Sequence, residues 1–228
     1  MNHLSRHQCI HSLAVALIAI AAIGSLVGCV KGKSSEQLLA DGDYAYRYGR
    51  YEEAAGDFRQ VLDRYPGDVQ ANLGYARTQI ALGNLDQART ALETAASSKP
   101  EDFQISLLLA EVLFKQGDTT RLYQLLRDRA IEQRRAEAWI VMARYALELD
   151  DPDTAQTAVV AALEISDDSS PEPYLLASEL AERVGDQKEA LRRLRQAYGL
   201  APNDPRIEAM LREYGEVPGP TIALPPGR

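Results

Sequence analysis

Apolar residues recur along this chain at three- and four-residue intervals, the pattern of amphipathic helices, and the breaks between runs fall at a fixed distance. Residues 70–100 show the unit most clearly, as two amphipathic helices joined by a tight turn at Gly83-Asn84. At intervals of 34 residues stand Gly49, Gly83, Gly117, Asp151 and Gly185. Pro66 and Pro100 share that spacing, and Pro202 lies three periods further on. A small residue precedes each turn, at Gly42, Ala76, Ala110, Ala143 and Ser178. After the turn come Ala54, Ala88, Leu122, Ala155 and Ala190, then Phe58, Leu92, Leu126, Val159 and Leu194, with the fourth unit slipped back by one. These positions share one face of the second helix and predict its buried stripe. Small side chains on the first helix let the two helices of a unit approach closely. Gly at the turn takes the left-handed conformation that ends a helix, and Asp150-Asp151 replaces it in the fourth unit.

A helix–turn–helix unit repeating every 34 residues resembles the tetratricopeptide-repeat family. Tyr51, Ala54, Phe58 and Pro66 carry the resemblance, as do Gly83, Ala88 and Pro100, and Gly185, Ala190 and Pro202. It covers residues 35–202, divided as 35–66, 69–100, 103–134, 136–168 and 171–202. The third and fourth units depart from it: Leu122 replaces the small residue, Arg129 stands where Ala95 and Ala197 stand, and no Pro closes either unit. The expected fold is all-α, a right-handed superhelical solenoid of five repeats sharing one continuous core. Residues 203–214 predict a capping helix with Ile207, Met210 and Leu211 turned inward. Residues 215–228 hold four Pro and three Gly and predict an extended or disordered tail.

The resemblance implies a concave groove lined by the first helix of every unit. Leu39, Leu73, Leu107, Ile140 and Leu175 recur along it as an apolar ladder. Asp43, Arg77, Glu111, Arg144 and Glu179 form a charged row, and Tyr46, Ile80, Phe114, Leu147 and Glu182 complete the same helix face. Such a ladder fits either a bound helix or extended peptide, or plain helix–helix packing; the charged row fits exposure. Leu39, Asp43 and Gly74 stand where some family members carry a Lys/Asn clamp for a terminal carboxylate, so that clamp is not expected. A second candidate is the arginine cluster Arg121, Arg127, Arg129, Arg134 and Arg135, above all Arg127, Arg129 and Arg135. It is either a docking patch for an acidic surface or a solvated helix face. Tyr44, Tyr46, Tyr48 and Tyr51 fall on different helix faces and predict no common stacking platform.

The amino terminus adds a location. An apolar run from Leu13 to Ile23 follows a polar start with one Arg, too short for a spanning helix of about 20 residues. Leu26-Val27-Gly28-Cys29 resembles a bacterial lipobox. That resemblance implies a signal peptide over 1–28, lipidation of Cys29, and a short tether over 29–34. Two or three acyl chains suffice for stable anchoring. Val30, rather than Asp, after the Cys resembles lipoproteins sent to the outer membrane in a Gram-negative host.

Composition narrows the function. The net charge of −8, near −9 once Arg6 leaves with the signal peptide, opposes nucleic acid and anionic lipid headgroups as partners. Both Cys and all three His lie at or before Cys29, so the body has no thiol and no imidazole. The acids Asp150, Asp151 and Asp153, and Asp167 and Asp168, lack the spacing of a calcium loop and read as helix ends and caps. No cofactor, metal, catalytic residue or small-molecule substrate is expected. The expectation is a non-catalytic scaffold tethered to the membrane of a bacterial cell envelope and binding protein partners. The rival is an envelope hydrolase, or an accessory to one, working on cell-wall glycans with Asp/Glu acid–base chemistry; it requires two carboxylates facing across a cleft.

Overall fold

The computed structural model describes residues 32–166 and 170–227, so Cys29, the signal segment and Asp167 and Asp168 lie outside the described residues. Eleven helices, and no strand, are found among them. They pair as α1 (Ser35–Arg47) with α2 (Tyr51–Leu62), α3 (Val69–Ala81) with α4 (Leu85–Ser98), and α5 (Phe103–Gln116) with α6 (Thr119–Glu132). Next come α7 (Ala136–Glu148) with α8 (Pro152–Ile165), α9 (Glu172–Arg183) with α10 (Gln187–Leu200), and a last helix α11 (Pro205–Glu213). Each helix packs on the next in sequence, which is the stacking of an all-α solenoid.

Local chemistry sets the helix ends. Ser34 and Gln37 form a reciprocal capping box at α1, and the side chains of Asp68, Asp102, Asp118, Asp151, Asp186 and Asp204 accept backbone N–H groups at six later starts. Between the helices of a unit, Gly49, Gly83, Gly117 and Gly185 take φ of 73°, 78°, 72° and 82°. The following residue then donates its N–H five residues back, as Arg50 does to Ala45 and Asp118 to Leu113. In the fourth unit the left-handed residue is Asp150, at φ 56°, rather than Asp151. Asp151 instead caps α8 through the N–H of Thr154 at 3.0 Å. The two aspartates thus divide the turn and the cap, which explains the one-residue slip.

The small residues Ala76, Ala110, Ala143 and Ser178 are fully buried, as are the two apolar positions that follow each turn. In the third unit the buried place expected of residue 129 is filled by Ala130, while Arg129 is half-buried and reaches Glu132 at 3.0 Å. Leu122 is buried where the other units have Ala, and α5 and α6 are the least closely apposed of the five pairs.

A last helix closes the described stack. Ile207 and Leu211 of α11 are buried against Leu194, Ala197 and Tyr198, with Met210 partly buried beside them. Gly215 (φ 77°) and the Glu216 N–H to Leu211 carbonyl bond end α11 as a first helix ends, so α11 is the first half of a sixth unit without a second helix. The tail expected to be extended or disordered is irregular and seated: a turn closes from Gly219 to Ile222, Ile222 and Ala223 pack into the terminal cluster, and Leu224 lies on α10. Side chains on α10 supply the hydrogen bonds that a proline-rich segment cannot make with itself.

In the same unit Glu189 joins Arg192 at 2.6 Å and Arg193 at 2.7 Å. Their hydrogen bonds, Arg192's first, outweigh partial burial and pull the carboxyl down to about 2. A carboxyl depressed in the folded state stabilises above its unfolded range, and that contribution is lost as pH falls through the folded value. Wild type should therefore melt above Glu189→Gln at neutral pH, and the gap should close between roughly pH 4.5 and 2. Thermal melts across that range check this; a gap that persists at pH 2 contradicts it. The group is a third exposed, so the gap is modest.

Candidate functional site: a groove along the first helices

First helices touch from unit to unit, α1 on α3, α3 on α5 and α7 on α9, whereas second helices make no comparable contact with one another. Closely spaced first helices form the inner side of a curved stack. Leu39, Tyr46, Leu73, Ile80, Leu107, Glu111, Phe114 and Ile140 are half-buried there, and Asp43, Arg77 and Arg144 are exposed. Further along, Leu147 is buried, Leu175 and Glu179 are half-buried and Glu182 is exposed. The ladder therefore does two things: Leu73, Ile80, Phe114 and Ile140 pack sideways onto the core and still present an edge to solvent. Tyr145 joins them by packing on the Phe114 ring at 4.7 Å, which bridges α5 and α7. Sequence spacing missed Tyr145 because it lies beside, not on, the three rows that set the ladder.

The charged row is less free than its spacing suggests. Arg144 is paired with Glu172 on α9, and Glu172 also accepts from Arg206 on α11 at 3.4 Å. Glu111 is held by Lys115 at 2.8 Å. Arg77 is exposed, with no hydrogen bond or ion pair from its side chain among the described residues. A guanidinium carrying five donors in open solvent beside an apolar ladder can hold a carboxylate or peptide carbonyl.

Three of the five arginines of the second candidate are engaged by neighbouring side chains. Arg127 is exposed, Arg129 is turned to Glu132, and Arg135 lies over the Phe103 ring at 4.8 Å while its Nε donates to Gln133. Arg121 pairs with Asp118, and Arg134 takes φ 48° at the end of α6. The tyrosines form two separate pairs, Tyr44 with Tyr48 and Tyr46 with Tyr51.

This architecture, helix pairs stacked around an inner groove, defines a helical-repeat solenoid. Models of the family described as "Tetratricopeptide repeat" match residues 38–112 and 136–160. The chain is 28% identical over 218 residues to human "Tetratricopeptide repeat protein 34", covering 88% of itself and 35% of that protein, so it spans about a third of that relative's length. Among solved structures, a thermophilic tetratricopeptide protein of Thermus thermophilus is 25% identical, with a TM-score of 0.51 over 79% of this chain and 98% of the other. MamA from Desulfovibrio magneticus RS-1 aligns with a TM-score of 0.59 at 16% identity, over 76% of this chain and 98% of that one. YrrB, described as a tetratricopeptide protein with an unusual peptide-binding site, aligns at 0.54 and 15% identity over 79% and 92%. Over residues 38–112 and 136–160 the chain is thus similar to the tetratricopeptide-repeat family, and its fold is that of the solved tetratricopeptide proteins.

Proposed function

We propose that this protein is a non-catalytic scaffold, tethered to the membrane of a bacterial cell envelope through Cys29, that holds a protein partner in the groove of its first helices. Tetratricopeptide proteins are in general protein-interaction scaffolds, typically non-catalytic. The observation that carries the groove reading is the ladder itself. Leu39, Leu73, Leu107 and Ile140 are each left part-exposed by four successive first helices, beside a free Arg77. An amphipathic helix or an extended apolar segment bearing a carboxylate suits that surface. The tether reading rests on the lipobox-like residues before Cys29; the outer membrane is the favoured destination, and a secretion, pilus or outer-membrane assembly the favoured setting.

The test is capture of solubilised envelope proteins on the full chain, read by mass spectrometry. Arg77→Glu should weaken capture of the principal partner by about tenfold, near 1.4 kcal/mol, with circular dichroism unchanged because an exposed side chain contributes little to folding. Arg144→Glu is a poorer probe, since it sets a carboxylate against Glu172. The triple change Arg127→Glu, Arg129→Glu and Arg135→Glu should spare capture; if it abolishes capture and Arg77→Glu does not, the groove reading fails. In the same preparation Cys29→Ser should remove fatty-acid label and membrane fractionation, and label that survives refutes the tether.

A further inference from the structure

The tail is held in a way that a simple end-cap does not require. Between Ile222 and Gly227, five main-chain groups are engaged by α9 and α10. Arg195 Nε donates to the Ile222 carbonyl at 2.6 Å, and the Leu224 N–H donates to the Arg195 carbonyl at 3.1 Å. Gln196 Nε2 donates to the carbonyls of Pro225, at 3.2 Å, and Gly227, at 3.0 Å. Arg193 Nη1 also donates to the Gly227 carbonyl at 3.1 Å, and the Gly227 N–H donates to the hydroxyl of buried Tyr174 at 3.1 Å. Contacts of this kind hold the main chain of a segment laid along α10.

Gly199 supplies an independent sign. A Cβ there would stand 2.3 Å from the Leu224 carbonyl oxygen, a main-chain atom that no rotamer change can move aside. Glycine within a helix costs about 1 kcal/mol relative to alanine, and close approach of a second backbone is the feature that accounts for it here. Pro225-Pro226 need no donor partners and hold the segment extended before binding, which lowers the entropy lost on docking. Leu224 borders a cleft of about 450 Å³ lined also by Leu191, Arg192 and Arg195, so the site continues beyond the tail's own side chain. Gly215, Pro218, Gly219 and Pro220 separate the seated residues from α11 along the chain.

We propose that α9 and α10 form a second peptide site, distinct from the groove, for an extended segment with a small or branched apolar residue followed by Pro-Pro-Gly. The protein fills it with its own residues 222–227. The same surface receives a segment of that chemistry from a partner when the tail is displaced. The connection supplies the tail at an effective concentration in the millimolar range, so a competing segment gains access only when it is tethered nearby or binds better.

The experiment uses the full chain and a labelled synthetic peptide of sequence TIALPPGR. In the variant Ile222→Asp/Leu224→Asp the tail loses its apolar contacts while the site is unchanged. The peptide should bind this variant at least tenfold more tightly than wild type by fluorescence anisotropy. Adding Gly199→Val to the variant should abolish that binding, with the circular dichroism spectrum retained. Hydrogen exchange gives a second reading: the amides of Leu224 and Gly227 should be protected in wild type and fast in the released variant. Binding that is equal in all three proteins, or absent from the released variant, overturns the proposal. So does self-association of the released variant without peptide binding, which would make the tail a cap only.

Discussion

Phe58→Ala is expected to lower stability by about 3–5 kcal/mol, the range for removing a buried aromatic ring. Phe58 is 1% exposed and sits where α1, α2 and α3 meet. Two glycines make room for it: a Cβ at Gly42 would stand 2.9 Å from the ring, and one at Gly74 only 2.5 Å. Glycine on two sides offers no side chain to fill the space, so the cost should fall in the upper part of that range unless Leu39, Tyr46 or Tyr75 collapses into it. The reverse experiment sharpens the argument. Gly74→Ala gains about 1 kcal/mol of helix propensity but overpacks the ring, which costs about 1–3 kcal/mol, so packing decides the sign and the variant should be less stable. Combining Gly74→Ala with Phe58→Leu should recover part of the loss, because the smaller side chain relieves the clash. Urea unfolding of the two single variants and the double closes the cycle; strict additivity would show that the glycines serve another purpose.

The repeat itself was legible because the buried positions recur: Ala76, Ala110 and Ala143 on first helices, and Ala88, Ala155 and Ala190 on second helices, announce where backbones approach. Period and residue size encode that directly. The register of the third and fourth units was not, because Asp150 and Asp151 are chemically equivalent and only their φ values and caps separate them. Arg129 and Ala130 posed the same one-residue ambiguity, settled by which of them the packing buries. Arg144 looked free because its partner, Glu172, lies 28 residues away on another helix. The seating of the tail was hidden for a related reason. Its composition has no periodicity, and the groups that hold it belong to Arg193, Arg195 and Gln196, which read as ordinary helix-surface residues. Only Gly199, a glycine inside an amphipathic helix, marked the place in the sequence.

Leu126→Ala should cost about 2–5 kcal/mol and divide unfolding into two steps. Leu126 is fully buried in the central cluster that joins the second unit to the fifth. In a stack where each unit contacts only its neighbours, cooperativity across the whole depends on every interface between them. The third unit is the weak place. Its helices α5 and α6 are the least closely apposed pair, and its first helix reaches α7 through the Phe114–Tyr145 ring contact. Removing Leu126 there weakens both the pairing within the unit and its hold on α7. Leu194→Ala, in the last unit, should instead loosen only the end of the stack. Trp139 on α7 is the one tryptophan of the chain and packs against Phe103, Ala130 and Ala138, so its fluorescence follows the junction of the third and fourth units while circular dichroism follows every helix. In Leu126→Ala the two signals should separate in urea, each with a smaller m-value than wild type, because each step exposes less surface. Coincident transitions with an unchanged m-value would mean that the third unit couples the halves as firmly as any other.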